Sequence, residues 1–472
     1  MMKKAHFIGI AGKGMSAVAL LLKQHGWEIS GSDTGFYPPV STYLEENNIP
    51  FAKEYKKENI PEDADLVVIG KNAKLIPEEN EEVKAAFKSG KSVRSFPEVI
   101  AGLVAETHNI VVAGSFGKST STALLAWCLK SAGKDPSYFI GEIVRGFDAH
   151  AHSGEGNLFV LEGDEYPSAN WDSTSKFLYY NPHDVLLTSA EHDHINVFKT
   201  HEAYLEPFKQ LLSLIPKDGL LVASADDESA RALAHTHTGK KVLCGITNKE
   251  ALWSATDIVL GEKTHFTLTK RGESVMAVET SLLGRHNVEN IVGVSALLLE
   301  KQLVTPEELV KGIKTFEGVT RRLILLSPNS SVRVYEGYGS SYSKARAAIK
   351  AVKDHFPHQR LVMVFEPHTF SWRNRDTLSW YDTVFEGGQK ILIYEPATQG
   401  ATTHNQLSQE EIIKRVCGAG FDAVPIHSKE DGVRMLNTTL EPQDILLLLT
   451  SGDLGGLIEV IPELVTKKFP RS

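Results

Sequence analysis

The run Val111-Val112-Ala113-Gly114-Ser115-Phe116-Gly117-Lys118-Ser119-Thr120 carries the most chemical information in this chain. An apolar, β-branched stretch from Ile110 to Ala113 enters a tight glycine turn, and a helix is expected to open near Ser119. That order aims several backbone N–H groups and the positive end of a helix dipole at one point, which suits a phosphate. Lys118 adds a point charge for β/γ-phosphates, and the hydroxyl of Ser119 or Thr120 is placed to hold Mg²⁺. Gly114, Ser115 and Gly117 complete the loop.

Two further clusters follow predicted strands in the same stretch of chain. Glu162-Gly163-Asp164-Glu165 lies directly after Leu158–Leu161, where a carboxylate could hold Mg²⁺ beside a phosphate loop. Glu191-His192-Asp193-His194 follows Val185–Thr188, so its side chains are expected at the same carboxyl edge of the sheet. Near the start, Gly9-Ile10-Ala11-Gly12-Lys13-Gly14-Met15-Ser16 sits between the strand Ala5–Ile10 and an apolar helix running through Leu22. The next strand, Glu28 to Ser30, ends at Gly31-Ser32-Asp33. This is a dinucleotide-type βαβ unit, with a diphosphate at the helix start and the acid near a ribose or base. By itself it fits a nicotinamide oxidoreductase as well as any other nucleotide enzyme.

Positioning these clusters requires several layered units. At 472 residues the chain is too long for one core. Strand–helix alternation divides it into residues 1–107, 108–322 and 323–472, and predicts an α/β protein of three mainly parallel sheets covered by helices. The first block has further strands at Leu66–Gly70 and Ser92–Arg94 and ends in a turn at Ser95-Phe96-Pro97. The last has strands Val332–Tyr335, Leu361–Phe365, Ile391–Tyr394 and Ile445–Leu449, with helices over Lys344–His355 and Glu410–Cys417. A net charge of −9 argues against nonspecific nucleic-acid binding, which needs basic patches. No apolar run approaches ~20 residues, so no membrane span is expected. Cys128, Cys244 and Cys417 are widely spaced and read as buried thiols of a reducing, cytoplasmic compartment.

Taken together, the motifs resemble those of the Mur ligases, ATP-dependent enzymes that join an amino acid or peptide to a UDP-muramyl carboxylate. The resemblance rests on Gly114–Thr120, Glu162–Glu165, Asp193-His194, Gly284-Arg285-His286-Asn287-Val288-Glu289-Asn290 and Gly318-Val319-Thr320-Arg321-Arg322, which occur in the family's order. It implies a Rossmann-like first domain, a P-loop ATPase centre and a Rossmann-like last domain. It also implies ATP and Mg²⁺ as cofactors: Lys118 on the β/γ-phosphates, Ser119 on a first Mg²⁺, Glu162 and His194 on a second, and Asn287 and Asn290 at the adenine. Arg322 is then expected near the γ-phosphate, whereas Arg321 is taken as a solvated linker charge. His286-Asn287 doubles as a helix N-cap candidate.

The first block resembles that of the members acting on UDP-N-acetylmuramate itself. The resemblance lays the UDP diphosphate on the backbone of Gly12, Lys13, Gly14, Met15 and Ser16, with Asp33 near the uridine. An ATP site in the middle block then displaces the nicotinamide reading. The segment Asp33 to Glu45, the tyrosine after Glu165 and Glu366-Pro367-His368 with Trp372-Arg373 resemble the members that add L-alanyl-γ-D-glutamyl-meso-diaminopimelate. The histidine at 368 and Ser451-Gly452-Asp453-Leu454-Gly455 lean toward the alternative, addition of L-alanine. Arg373 and Arg375, with His368, are the candidates for the amine substrate, since guanidinium groups pair bidentately with carboxylates. Expected ligands are thus UDP-N-acetylmuramate and an amino acid or murein peptide, in a monomer or weak homodimer. One departure from the family stands out. Its Asp-Asp-Tyr-Gly-His-His-Pro is Glu336-Gly337-Tyr338-Gly339-Ser340-Ser341-Tyr342-Ser343-Lys344 here, with Glu336 in place of the acid expected near the ATP ribose. Lys344 reads as an exposed helix-start lysine.

Overall fold

The computed structural model describes residues 2–36, 40–193, 197–396 and 406–471. Among them, the strands form three sheets. The first holds β1 (Lys4–Ile8), β2 (Glu28–Ser32), β3 (Phe51–Ala52), β4 (Leu66–Ile69) and β5 (Ser92–Arg94) in the order β3-β2-β1-β4-β5. Every pairing in it is parallel. Phe7, Ile8, Val67, Val68 and Ile69 are fully buried, because a parallel sheet is covered on both faces.

The second sheet contains β6 (His108–Ala113), β7 (Ser137–Phe139), β8 (Ala151–His152), β9 (Leu158–Glu162), β10 (Asp184–Leu187), β11 (Leu220–Ser224), β12 (Lys240–Cys244), β13 (Trp253–Val259), β14 (Thr264–Lys270) and β15 (Glu273–Thr280). Their order is β15-β14-β13-β12-β11-β10-β6-β9-β7-β8. The phosphate-loop strand β6 lies centrally, parallel to β9 on one side and β10 on the other. The consecutive strands β13 to β15 depart from the predicted strand–helix alternation. Arg271 and Gly272, the only residues between β14 and β15, have φ of 55° and 81°. Two central residues at positive φ make a tight hairpin turn, which can join only antiparallel strands.

The third sheet holds β16 (Arg322–Leu325), β17 (Arg333–Tyr338), β18 (Leu361–Phe365), β19 (Lys390–Tyr394), β20 (Ala423–Ile426) and β21 (Ile445–Thr450), in the order β16-β17-β21-β18-β19-β20. Only the β16–β17 pairing is antiparallel. This three-sheet α/β architecture is the one expected. By packing, one compact unit comprises Met1–Ile258, Phe266–Thr280 and His286–Phe316, and a second comprises Val259–His265, Ser281–Arg285 and Glu317–Ser472. The first unit carries the first sheet and the phosphate loop. The second carries the third sheet, including Arg322 in β16.

Three local expectations are corrected. Ser95-Phe96-Pro97 is not a closing turn but the start of the helix Phe96–Leu103, with Ser95 and Glu98 forming a capping box and proline in the first turn. His286 and Asn287 lie inside the helix Arg285–Glu300, one and two residues past its first residue, so neither caps it. Cys128 and Cys244 are buried as expected, but Cys417 is exposed, because it sits on the outer side of the helix Gln409–Gly418 whose inner face is Ile412 and Val416.

Candidate functional site

The phosphate loop connects β6 to the helix Lys118–Ser131, whose N-cap, Gly117, has φ 81°. Glycine is required at both ends of the loop. A Cβ on Gly117 would lie 2.5 Å from Asn290 Oδ1, and one on Gly114 (φ 142°) would lie 2.3 Å from Thr188 Oγ1. Such close approach of the backbone to its surroundings, with left-handed φ at Gly117, is what a phosphate cradle needs. The hydroxyls after β10 hold the loop from the other side: Ser189 Oγ accepts from Phe116 N at 2.8 Å, and Thr188 Oγ1 donates to Phe116 O at 2.5 Å.

Two carboxylates from the end of β9 meet the start of this helix. Ser119 Oγ donates to Glu162 Oε1 at 2.6 Å, and Glu162 Oε2 accepts from Gly141 N at 2.6 Å. Lys118 Nζ lies 3.0 Å from Glu165 Oε2 and also donates to Gly114 O. The Glu165 side chain is fully buried and the Lys118 side chain is 15% exposed. Tyr204 OH donates to Glu165 Oε1 at 3.0 Å and lies 2.8 Å from Ser115 Oγ. Burial opposes the charge on Lys118, yet the carboxylates of Glu165, Asp164 and Glu162 outweigh it and hold the ammonium above its ordinary range. Burial pushes the Glu162 carboxyl up in spite of Ser119, Gly141 and Lys118. For Asp164 the nearby Lys176 and Lys118 overcome burial and hold the acid down. A carboxylate paired with a hydroxyl beside an ammonium-lined cradle offers hard oxygen donors, which suits Mg²⁺ with a polyphosphate. Thr120 is partly buried in the first turn of the same helix.

The structure therefore brings Gly114, Ser115, Gly117, Lys118, Ser119, Thr120 and Glu162 together. It adds Asn290, whose Nδ2 donates to Asn287 Oδ1 at 3.2 Å while its Oδ1 faces Gly117. His194, expected beside the metal, lies outside the described residues. Sequence reasoning quoted Glu165 without a role and missed Tyr204, Thr188 and Ser189. Glu165 had a signal in its spacing after Glu162. Tyr204 sits in a distant helix, His201–Ser213, with no local cue.

The other glycine turn also forms a helix start. The helix Lys13–Gln24 follows Gly12, and the amides of Lys13, Gly14 and Met15 have no intrahelical acceptor by position. The Met15 and Ser16 side chains are buried, and Ser16 Oγ donates to Lys13 O at 3.0 Å. Ser16 is completely buried and its backbone N–H donates to Gly12 O at 2.9 Å, so it does not present the amide expected to meet a diphosphate. Lys13 Nζ pairs with Glu142 Oε2 at 2.6 Å. Asp33 Oδ2 accepts from Ala11 N at 3.0 Å, and its Oδ1 accepts from Thr34 N at 2.7 Å and Tyr55 OH at 2.9 Å. The acid thus braces the turn that it was expected to serve.

In the second unit, Glu336 of β17 is 6% exposed and pairs with Arg321 Nε at 3.6 Å. Arg321 also donates to Ser451 O at 3.0 Å. The reading of Arg321 as a solvated linker charge is corrected: its guanidinium is tied to Glu336 of β17 and to Ser451 O just after β21. The Arg322 guanidinium and the Lys344 ammonium lie 5.5 and 5.6 Å from the Tyr338 ring centre. Lys344 is partly buried rather than exposed. His368 Nδ1 lies 3.3 Å from Glu366 Oε1, whose other oxygen accepts from Thr450 Oγ1 and, at 3.2 Å, from Leu454 N. Arg373 is buried at 6% exposure, donating to Thr369 O and to Gln406 Oε1. Arg375 pairs at the surface with Glu411 at 2.7 Å. The two arginines therefore do not form one guanidinium pair.

Comparison with known proteins agrees with this architecture. The model described as "Mur ligase family, catalytic domain" matches residues 4–108, and "Mur ligase middle domain" matches residues 112–298. The chain is 31% identical over 462 residues to the UDP-N-acetylmuramate–L-alanine ligase of Chlorobium chlorochromatii, covering 96% of each chain. It is 28% identical over 470 residues to the UDP-N-acetylmuramate–L-alanyl-gamma-D-glutamyl-meso-2,6-diaminoheptandioate ligase of Haemophilus influenzae, covering 98% of each. The crystal structure of the UDP-N-acetylmuramate–alanine ligase of Thermotoga maritima superposes with a TM-score of 0.81 at 22% identity, over 99% of this chain and 100% of that one. No helix among the described residues is long and apolar enough to cross a membrane. The chain belongs to the Mur ligase family of ATP-dependent, amide-bond-forming ligases.

Proposed function

We propose that this ligase joins L-alanyl-γ-D-glutamyl-meso-diaminopimelate to the lactyl carboxylate of UDP-N-acetylmuramate, with residues 1–107 taking the UDP sugar, 108–322 ATP and 323–472 the amine. The observation that carries the ATP half is the linked pair Ser119–Glu162 and Lys118–Glu165 at the head of one helix. The choice of tripeptide rests on the sequence pattern around Glu165-Tyr166 and Glu366-Pro367-His368. Free L-alanine is the second reading, favoured by the name of the 31% identical relative.

ATP with Mg²⁺ supplies the phosphoryl group that makes the carboxylate electrophilic and neutralises the charge between two anions. The chain's own part is positioning and electrostatics. The amides after Gly114 and Gly117 and the Lys118 ammonium hold the polyphosphate, and Ser119 and Glu162 supply oxygen ligands to the cation. Glu165 and Tyr204 hold Lys118 in place. Arg322 and Arg373 supply fixed positive charge within the second unit. No covalent nucleophile is called for. The test is phosphate release with UDP-N-acetylmuramate and either amine. A higher kcat/KM with the tripeptide is expected, whereas a wide preference for L-alanine transfers the chain to the second reading.

A further inference from the structure

At the opposite end of the central sheet from the phosphate loop, three potential metal ligands meet where β6 and β10 begin. His108 Nε2 lies 2.6 Å from Asp184 Oδ2, and His183 Nδ1 lies 3.4 Å from Asp184 Oδ1. One donor atom from each of the three residues falls within 4.8 Å of the others. The two imidazole rings are side by side, 3.9 Å between centres. This convergence is imposed by register: β10 runs parallel to β6, with Asp184 opposite Ile110, and His183 N donates to Asn109 O at 2.8 Å.

We propose that His108, His183 and Asp184 form a binding site for a borderline transition-metal ion of the Zn²⁺ class, independent of the nucleotide site. The donor set of two imidazoles and one carboxylate suits Zn²⁺, Ni²⁺ or Cu²⁺ and is unlike the all-oxygen set preferred by Mg²⁺. Two donors each ~2.1 Å from a tetrahedral ion stand about 3.4 Å apart. The His108 Nε2–Asp184 Oδ2 pair, at 2.6 Å, must open by less than an ångström, and the donor atoms of all three residues already fall within 4.8 Å of one another. The carboxylate is oriented as metal-binding carboxylates are: Asp184 Oδ1 also receives Lys301 Nζ at 3.1 Å and Leu220 N at 2.7 Å, which leaves Oδ2 for the cation. Asp184 is fully buried, yet His108 and Lys301 overcome the burial and keep it ionised. Both histidines are about a quarter exposed, which gives an ion entry, and Asp218 Oδ2, 3.3 Å from His183 Nε2, stands at the solvent side. Binding would replace the hydrogen bond between His108 and Asp184 and tie β6 to the turn before β10.

The experiment uses the full-length chain carrying Cys417→Ser, to remove the exposed thiol, after chelator treatment and with saturating Mg²⁺ present. Zn²⁺ is titrated calorimetrically, and Co²⁺ is followed by its visible ligand-field bands. About one equivalent should bind, with bands of a four- or five-coordinate ion, and His108→Gln and His183→Gln should each weaken binding roughly tenfold or more. His183→Gln alters a partly exposed residue and decides the matter if His108→Gln fails to fold. Absence of Zn²⁺ binding to the parent, or equal binding by parent and His183→Gln, overturns the proposal.

Discussion

Replacing Lys118 with alanine separates the catalytic and structural roles of one side chain. Its ammonium is 3.0 Å from Glu165, whose side chain is completely buried. Removing one partner of a buried ion pair costs about 3–5 kcal/mol, because the remaining charge loses its compensation. Tyr204 still donates to Glu165 Oε1, so the expected loss is lower, about 2–3 kcal/mol. Lys118→Ala should thus lose ATP-dependent phosphate release and also unfold at lower urea. Adding Glu165→Gln removes the stranded charge and should restore about 1–2 kcal/mol of stability without restoring turnover. The assays are urea unfolding followed by circular dichroism and phosphate release with saturating UDP-N-acetylmuramate. Near-normal turnover in Lys118→Ala refutes the ATP assignment. Equal stability of the parent and single variant refutes the buried-pair argument, because a solvated lysine would behave in that way.

Four other outcomes follow from the same geometry. Glu162→Ala should reduce turnover, with part recovered at raised Mg²⁺ or Mn²⁺; an unchanged metal dependence would remove Glu162 from the cation site. Asp33→Ala should raise KM for the UDP sugar and leave that for ATP nearly unchanged, and an equal rise for both would argue that it only braces the Gly12 turn. Arg373→Ala should lower kcat/KM more for the tripeptide than for L-alanine, measured side by side, and an equal loss would mark the buried guanidinium as structural. Glu289 is half-buried, and burial, with Asp226 and Asp227 nearby, pushes its carboxyl to about 7. A carboxyl raised in the folded state holds its proton there after the unfolded chain has lost it, so stability falls as pH rises from the ordinary glutamate value, 4.5, to about 7. Glu289→Gln should flatten that slope and gain up to about 2 kcal/mol at pH 8, allowing for solvent access; parallel pH profiles for parent and variant would contradict it.

Local pattern and tertiary pairing divide the evidence for this site. The strand, glycine turn and lysine–serine helix start at Ile110–Ser131 are legible because each is a short-range constraint: β-branched residues, positive-φ glycines and an uncapped helix end follow one another in the chain. Leu361–Phe365 is exact for the same reason, being a buried parallel strand that reads as one apolar run. The capping box of Ser95 and Glu98 was equally local and was available to the sequence reading. Strand β15 was obscured by its largely exposed, mixed composition, which lacks a buried strand's apolar run.

Other features exist only once the chain is folded. Lys118 meets Glu165 across 47 residues and Glu165 meets Tyr204 across 39, and Arg321 finds Glu336 only because β16 and β17 pair antiparallel. His108 and Asp184 are 76 residues apart and become neighbours through the parallel register of β6 and β10. Composition and periodicity report what each segment prefers next to itself. Which charge is stranded, paired or shared is decided by strand order and register, since electrostatic energy depends on separation in space and on burial, neither of which a residue's place in the chain reveals.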